Sequence, residues 1–231
     1  QSDCILHRKS NWQSLLFLYR KHGWRYFLFK ITDQLVYAVT NIKKYLPNKR
    51  ETRLFWEAEK RKIPIITIKD INSPQALEQM KTYAPDIIIS YFNQILKEDA
   101  LALPRLGCLN VHPGYLPVYR GVASSFWAMQ RGANWGGVTV HFMEKKLDTG
   151  DIVGREKVAI TKDMSLHRHN YLCCKTGGIL LLSALKKLRI GKIKRIKQKK
   201  GDYYSWPDAE SVEAFHAKGL RLIDAKDLEL Y

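Results

Sequence analysis

The segment at residues 109–121 constrains the fold more than any other part of the chain. It begins as a short strand in which apolar residues alternate with Asn110 and His112, and it stops at Pro113. Side chains two positions apart on a strand share a face. We therefore expect both polar groups to project together, and the apolar residues between them to enter the core. The strand is predicted to end where a loop can admit a substrate.

A second segment, residues 137–153, complements the first. Its first half alternates as a strand does. Its second half is an acidic, glycine-containing turn that presents Asp148. His141 alternates with Val140 and Phe142, and we interpret it as a packed or hydrogen-bonded structural histidine, with a place in the lining of the site as the alternative.

Helices and strands are predicted to alternate between the start of the chain and these segments. Helices at 51–62 and 74–84, the second capped by Ser73, flank a predicted strand at Ile63–Ile68. The apolar run Ile87–Ile89 predicts a parallel strand that is buried on both faces. The alternation indicates an α/β fold, in which ligands bind beyond the carboxyl ends of the strands.

Further elements are predicted on both sides of this region. Residues 11–45 are expected to be helical and rich in aromatic side chains, and Gly23 is expected to break or cap the helix. This stretch is predicted to pack against the domain or a second subunit, with peripheral membrane contact as the alternative. The other predicted elements are helices at 122–131, 164–188 and 208–218 and a strand at 152–160.

The two polar segments together resemble the 10-formyltetrahydrofolate-dependent formyltransferase family. The resemblance rests on Asn-x-His-Pro-x-x-Leu-Pro-x-x-Arg-Gly and Leu-Asp-Thr-Gly-Asp-Ile, and it extends more loosely from about Ile63 to Val153. Asn-x-His-Pro alone is a weak string, whereas the pair at this spacing is specific. The resemblance implies a Rossmann-like, mostly parallel sheet with helices on both faces. It also implies transfer of a formyl group from 10-formyltetrahydrofolate to a primary amine.

Formyl transfer requires attack on a carbonyl carbon, a tetrahedral oxyanion and protonation of the departing nitrogen. The amide of Asn110 is our candidate oxyanion donor, a role that can lower a barrier by about 2.7–4 kcal/mol. His112 can stabilise the intermediate as a cation or move the amine's proton, because an imidazole titrates near neutrality. The resemblance implies the same role for His112. It also favours Asp148 over Asp151 as the group that holds the imidazole or orders a relay water.

The resemblance also implies a folate pocket between two loops. It assigns to that pocket Phe92, Gln94, Ile95, Leu96, Asp148, Thr149 and Gly150. Ordinary core packing is the alternative for Ile95 and Leu96. Arg120 and Gly121 precede a predicted helix, whose first amides attract anions, and we expect them to bind a phosphate or carboxylate of the substrate. An exposed arginine without a partner is the alternative for Arg120.

Composition and cysteine spacing bound the class of protein. The chain has 231 residues, 45% of them hydrophobic, enough to bury one large core. Its four cysteines lack the paired spacing of a metal site, and Cys173 and Cys174 are adjacent, so we expect reduced thiols, no metal and a cytoplasmic location. No apolar run reaches the roughly 18 residues of a membrane span.

The chain carries a formal net charge of +17, which favours an anionic partner. The densest basic run is residues 186–200. Such runs are usually solvated faces, but the interleaved Ile190, Ile193 and Ile196 suggest an ordered element whose charges could track phosphates. Nucleic-acid binding is less favoured because the run has no aromatic side chain for base stacking.

We expect an α/β domain at residues 1–190 and a basic C-terminal extension at 191–231. The family's apolar first strand and glycine-bearing loop are missing from the start, which indicates a fragment or a rebuilt sheet edge and places a glycinamide ribonucleotide substrate in doubt. The residues after 201 are too few for the β-barrel domain of members that formylate initiator tRNA.

The expected acceptor is a small anionic amine, such as an amino sugar carried on a nucleotide. The alternatives are hydrolysis of 10-formyltetrahydrofolate, formylation of methionyl-tRNA, and a non-catalytic protein that binds anions or a membrane surface. Each follows from the same segments and the same basic charge, and the residues alone leave them open.

Overall fold

The structure is a computed structural model that describes residues 11–41, 53–90 and 94–230. The helices are α1 (Asn11–Asn41), α2 (Arg53–Lys60), α3 (Pro74–Lys81), α4 (Glu98–Ala102), α5 (Ser124–Gln130), α6 (Leu166–Arg189), α7 (Ala209–Ala217) and a final 3-10 helix (Ala225–Leu230). The strands are β1 (Ile88–Ser90), β2 (Cys108–His112), β3 (Arg120–Gly121), β4 (Trp135–Phe142), β5 (Ile152–Ala159) and β6 (Tyr203–Tyr204).

Four of these strands form a mixed sheet in the order β1-β2-β4-β5. β1 runs parallel to β2, and β4 runs antiparallel to both β2 and β5. The short strands β3 and β6 pair separately and in parallel. The predicted α/β class is confirmed, and the described sheet is mixed because β4 opposes both of its neighbours.

Helices cover both faces of the sheet, as predicted. On one face, Leu109 and Val140 pack beneath α6 around Ala184. On the other face, Cys108 packs against Ala100 of α4. Because successive strand residues point to opposite sides, β2 contributes to two separate apolar layers.

The predicted strand at Ile63–Ile68 is wrong. This segment pairs with no strand in the described part of the chain, and Ile63 and Ile65 are 53% and 41% exposed. The expected burial of Ile87–Ile89 on both faces is also wrong, since Ile89 is 42% exposed. β1 is an edge strand of the described sheet. On its outer side, no described strand pairs with it.

The predicted helix starts and breaks are confirmed where the structure describes them, but the predicted end at residue 84 is wrong: α3 ends at Lys81, and Ala84 has φ 40°, which is outside the helical range. Ser73 caps α3 by accepting a hydrogen bond from the amide of Ala76, and Pro74 is the first helical residue. Gly23 kinks α1 with φ 77° and ψ 167°. The predicted helix at 11–45 is observed to Asn41, and its last positions lie outside the described residues. The elements predicted after residue 121 shift by one or two residues at their ends.

The aromatic helix α1 packs against the body of the protein, as expected. Tyr26 and Phe29 are buried beside Phe215 of α7 and Phe126 of α5. None of the described helices is both long and apolar enough to cross a membrane.

The segment predicted as a basic extension folds back over the sheet. Ile196 forms an isolated antiparallel bridge with Ile152, and β6 then pairs with β3. α7 follows and contributes Val212 and Phe215 to the core shared with α1 and α5. Residues beyond 190 therefore help to shape both the core and the cleft described next.

Candidate functional site

β2 and β4 bring their polar side chains to one face of the sheet. Asn110 lies opposite His141, and His112 lies opposite Thr139, in the antiparallel register of the two strands. Leu109, which precedes Asn110, is fully buried on the α6 side, and the intervening Val111 packs against the same cluster. The predicted common projection of Asn110 and His112 is confirmed.

A cleft of about 620 Å³ opens above this face. Its base contains Asn110, His112, His141 and Asp148. One wall is formed by Gln94, Ile95 and Leu96, and another part of the lining by Gly121, Val122, Tyr203 and Trp206. Its volume lies within the range of small-molecule sites, roughly 300–1,000 Å³.

Asp148 is held at the centre of the base by several contacts. Its Oδ2 accepts a hydrogen bond of 2.8 Å from the amide of Gly121. Its Oδ1 lies 3.6 Å from Nδ1 of His112 and 3.6 Å from Nε2 of His141. The residue has φ 53°, a left-handed conformation that aspartate tolerates better than most side chains.

The environment of Asp148 keeps its carboxylate ionised. Burial raises its pKa, but the interaction with His112, the proximity of His141 and the hydrogen bond from the Gly121 amide outweigh burial and lower the pKa to about 2. A carboxylate with this pKa is a fixed negative charge at neutral pH.

His112 is buried at 4% exposure, and its two ring nitrogens face different partners. Nε2 lies 2.7 Å from the carbonyl oxygen of Tyr119, so this nitrogen carries a proton and donates it. Burial lowers the pKa of His112, and His141 lowers it further, while Asp148 and the Tyr119 carbonyl raise it. The neutral ring thus leaves Nδ1 as a base, and protonation there gives a cation beside Asp148.

His141 lines the site, which the sequence interpretation had kept only as the alternative. The expected structural hydrogen bond is present, since Nδ1 lies 2.7 Å from the carbonyl oxygen of Phe142 and donates to it. The ring also lines the cleft and turns Nε2 toward Asp148. The available signal was its position in β4, which places it on the face opposite Val140 and Phe142.

The side chain of Asn110 is oriented by one hydrogen bond. Its Nδ2 donates to the carbonyl oxygen of Ser90 across the parallel β1–β2 pair, at 3.2 Å. A primary amide has two N–H donors, so one contact fixes the group while the other N–H can serve a ligand. Thr139 supports the neighbouring loop by donating to the carbonyl of Gly114 and accepting from the amide of Leu116.

Some of the residues assigned to the folate pocket line the cleft, and others hold the backbone around it. Ile95 is 40% exposed and lines the cleft, whereas Leu96 lines it while packing against Ala100 and Cys108. The amide of Gln94 is engaged by the backbone of Lys69 and Ile71. Core packing, the alternative for Leu96, therefore applies together with its place in the wall.

Other residues assigned to the folate pocket shape the Asp148 loop. Thr149 donates to the carbonyl of Lys146, and the carbonyl of Gly150 accepts from Gln198. A Cβ at Gly150 would lie 2.0 Å from the carbonyl oxygen of Phe142, so only glycine fits there. Phe92 lies outside the described residues.

Arg120 is joined to the basic run rather than free. Its Nη2 donates to the carbonyl oxygen of Lys199 at 2.7 Å and to Oε1 of Gln198 at 3.3 Å. The alternative of an exposed arginine without a partner is wrong. Arg120 and Gly121 tie opposite ends of one short strand to the tail and to Asp148.

Within residues 11–41, 53–90 and 94–230, no cluster of three or more histidine, cysteine or acidic side chains could hold a metal ion. The cleft presents amide, imidazole and carboxylate groups from Asn110, His112, His141 and Asp148. An amide donor, a neutral imidazole and an ionised carboxylate on one surface can stabilise an oxyanion and move a proton.

The sequence matches the model of the family described as "Formyl transferase" over residues 34–185. Methionyl-tRNA formyltransferase of Clostridium botulinum is 37% identical over 153 residues, which cover 64% of this chain and 49% of that protein. The chain thus spans about half the length of the curated relative that it matches.

Solved formyltransferase structures share the fold. An N-formyltransferase from Helicobacter canadensis, in complex with folinic acid and dTDP-3-aminofucose, is 20% identical with a TM-score of 0.52, over 74% of this chain and 66% of that chain. The formyltransferase PseJ from Anoxybacillus kamchatkensis, in complex with UDP-4,6-dideoxy-4-formamido-L-AltNAc and tetrahydrofolate, is 22% identical with a TM-score of 0.50, over 67% and 81%. At these identities the likeness concerns the fold.

Proposed function

Because the chain belongs to the formyl transferase family, we propose that it transfers the formyl group of 10-formyltetrahydrofolate to a primary amine. The observation that carries this proposal is the meeting of Asn110, His112 and Asp148 at the base of one cleft. Asn110 and His112 lie on β2 and Asp148 lies in the loop between β4 and β5, and together their side chains supply what formyl transfer needs.

The proposed reaction begins when the amine nitrogen attacks the formyl carbon. The resulting oxyanion accepts a hydrogen bond from the amide of Asn110, which is already held by Ser90. His112 takes the proton lost by the amine at Nδ1, and the imidazolium that forms is stabilised by Asp148. The proton then passes to N10 of the folate as the bond from N10 to the formyl carbon breaks.

The donor is proposed to bind along the wall formed by Gln94, Ile95 and Leu96. This wall combines apolar surface with backbone groups of a loop that follows β1, an environment suited to a flat pterin ring. Phe92, Thr149 and Gly150 remain predictions as folate-site residues. Tetrahydrofolate and folinic acid in the two solved relatives support the choice of donor.

The proposed acceptor is an amino sugar carried on a nucleotide. Lys146 lines the cleft, and the basic run is joined through the Lys199 carbonyl to Arg120, the neighbour of the lining residue Gly121. These cations favour an anionic acceptor. The sugar nucleotides in the two solved relatives support the same class.

Formylation of methionyl-tRNA is the second candidate. It is favoured by the 37% identity to a methionyl-tRNA formyltransferase. A panel containing a dTDP-linked amino sugar and charged methionyl-tRNA, each with 10-formyltetrahydrofolate, would separate the two. Release of formate without any amine would instead identify a hydrolase.

The test of the function is release of tetrahydrofolate by the wild type and by Asn110→Ala, His112→Ala and Asp148→Asn. We expect each variant to lose at least about 10²-fold in rate, the scale of a lost oxyanion donor or a general base. His216→Ala on α7 is the matched control, because that histidine lies in a different region from the cleft. Transfer by His112→Ala at the wild-type rate would remove His112 from the mechanism.

A further inference from the structure

The tail that follows the matched region contributes an aromatic wall to the cleft. The family match ends at residue 185, yet Tyr203 and Trp206 line the cavity above Asn110 and Asp148. Ile95 and Leu96 line the same cavity. A part of the chain outside the family match therefore completes the site.

Pairing between β3 and β6 determines which tyrosine enters the cleft. Gly121 lies opposite Tyr204, and Arg120 lies opposite Tyr203. Tyr204 is buried, and its ring lies 5.7 Å from the rings of Tyr119 and Trp127. Since neighbouring strand residues point to opposite sides, anchoring of Tyr204 turns Tyr203 outward, where it is 57% exposed.

The ring of Tyr203 lies directly against Gly121. A Cβ at Gly121 would be 3.0 Å from Cε2 and 3.1 Å from Cζ of Tyr203, and 2.2 Å from the carbonyl oxygen of Tyr204. The amide of the same glycine donates to Asp148. Gly121 therefore contacts both the Tyr203 ring and the proposed catalytic carboxylate of Asp148.

Trp206 also lines the cleft, and residues of α1 pack against its ring. Its ring lies 6.3 Å from that of Tyr26, and Nζ of Lys30 lies 5.1 Å from its centre. α1 therefore contacts the Trp206 ring. The two rings form a rigid, mainly apolar surface beside the reacting groups.

We propose that Tyr203 is the acceptor-binding residue and stacks against the pyranose ring of an amino sugar linked to a nucleoside diphosphate. The inference rests on the proposed function and names the substrate contact within the same site. One face of a pyranose presents C–H groups that pack on an aromatic ring, and Tyr203 offers such a ring at the right place. A sugar stacked there presents its amine toward His112 and Asp148.

Charge in the same tail suits the diphosphate. Lys199 and Lys200 are exposed and precede Tyr203 by a few residues, and Arg120 holds the Lys199 carbonyl. A sugar on Tyr203 would thus place its phosphates near the basic run. The pterin, by contrast, is proposed to bind along Gln94, Ile95 and Leu96. The contacts with the acceptor and with the donor can therefore be tested separately.

The test compares Tyr203→Ala and Tyr203→Phe with the wild type, using dTDP-3-aminofucose as acceptor and 10-formyltetrahydrofolate as donor. We expect Tyr203→Ala to raise the acceptor KM by about tenfold or more, as for a lost aromatic contact, with kcat changed much less. Tyr203→Phe keeps the ring and should retain the wild-type KM. Tyr19→Ala removes a similarly exposed tyrosine from α1 and should change neither constant.

Calorimetric titration with folinic acid supplies the donor measurement. Unchanged folate affinity in Tyr203→Ala, with a raised acceptor KM, supports the inference. An unchanged acceptor KM, or a loss of folate affinity in this variant, overturns it. Circular dichroism of each variant verifies that a change in KM does not come from unfolding.

The wild-type results distinguish the two proposals. A wild type that formylates methionyl-tRNA and not the sugar overturns the role of Tyr203 but leaves formyl transfer standing. A folded wild type that formylates neither acceptor overturns the proposed function, and the inference with it.

Discussion

Asp148 has a charge that depends on residues far from it in sequence. The Gly121 amide and the two histidines counter the effect of burial, and they hold the carboxylate ionised with a pKa near 2. The same charge then acts on His112, whose own pKa is lowered by burial. The site is therefore one electrostatic unit, and a change at one of its members alters the others.

Asp148 is expected to stabilise the fold at neutral pH. Its pKa falls from 3.8 to about 2 on folding, so the stabilisation is complete above pH 4 and is lost as the pH falls through 2. Asp148→Asn should lower the free energy of unfolding at pH 7 by about 2 kcal/mol. Urea denaturation between pH 7 and pH 3 should show that the difference in free energy of unfolding between the wild type and Asp148→Asn becomes smaller toward pH 3.

Asp163→Asn is the control for this pH series. The Asp163 side chain is 90% exposed, so its removal should change stability little at any pH. If the loss in free energy of unfolding caused by Asp148→Asn stays constant down to pH 3, the proposed electrostatic role of Asp148 is contradicted.

His141 is expected to influence the titration of His112. His141→Asn keeps an N–H for the Phe142 carbonyl but removes the nitrogen that faces Asp148. Because His141 lowers the pKa of His112, the variant should raise it. NMR titration of the imidazoles, and a shift of the corresponding limb of kcat/KM to higher pH, would check this. An unmoved His112 titration would show that the two rings are uncoupled.

At the level of elements, local signals placed helix starts and breaks well. Ser73 and Pro74 start α3, and Gly23 interrupts α1, because caps and left-handed positions depend on single residues. The apolar segment Ile63–Ile68 shows the opposite. Its composition is suited to a strand, but a strand also needs a neighbour, and no described strand offers one.

The kink in α1 is expected to require glycine. Gly23 has φ 77°, which costs an L-residue about 1–2 kcal/mol, and a new Cβ would lie 3.3 Å from Ala209. Gly23→Ala should therefore lower the free energy of unfolding by about 1–2 kcal/mol in urea denaturation.

Gly178 offers a matched control for that substitution. It lies within α6, and a Cβ there meets no atom within 4 Å. Gly178→Ala should stabilise the protein by up to about 1 kcal/mol through helix propensity. Equal effects of the two substitutions would contradict the requirement for a left-handed residue at position 23.

Across the whole molecule, one core joins the two ends of the chain. Tyr26 and Phe29 of α1 meet Phe126 of α5 and Phe215 of α7, whose rings stack at 4.6 Å. The predicted division at residue 190 describes a change in composition, whereas packing continues across it. Residues beyond 190 thus contribute both to this core and to the lining of the cleft.

Phe215 is expected to contribute to the stability of the whole protein. It is fully buried, and Phe215→Ala should lower the free energy of unfolding by about 3–5 kcal/mol through the cavity that it leaves. Leu228→Ala, at a side chain that is 61% exposed, should change it by less than about 0.5 kcal/mol. A loss in Phe215→Ala no larger than in Leu228→Ala would show that the tail is not integral to the core.

The sequence by itself determined the shared face of Asn110 and His112, the turn that carries Asp148, and the breaks and caps of the helices. These features follow from the period of a strand and from the backbone preferences of single residues, which act over a few positions. Only the tertiary structure decided that His141 joins Asp148, that Arg120 holds the tail, and that Tyr203 lies in the cleft. Those contacts depend on strand register and on the return of a distant segment, and no local pattern encodes either.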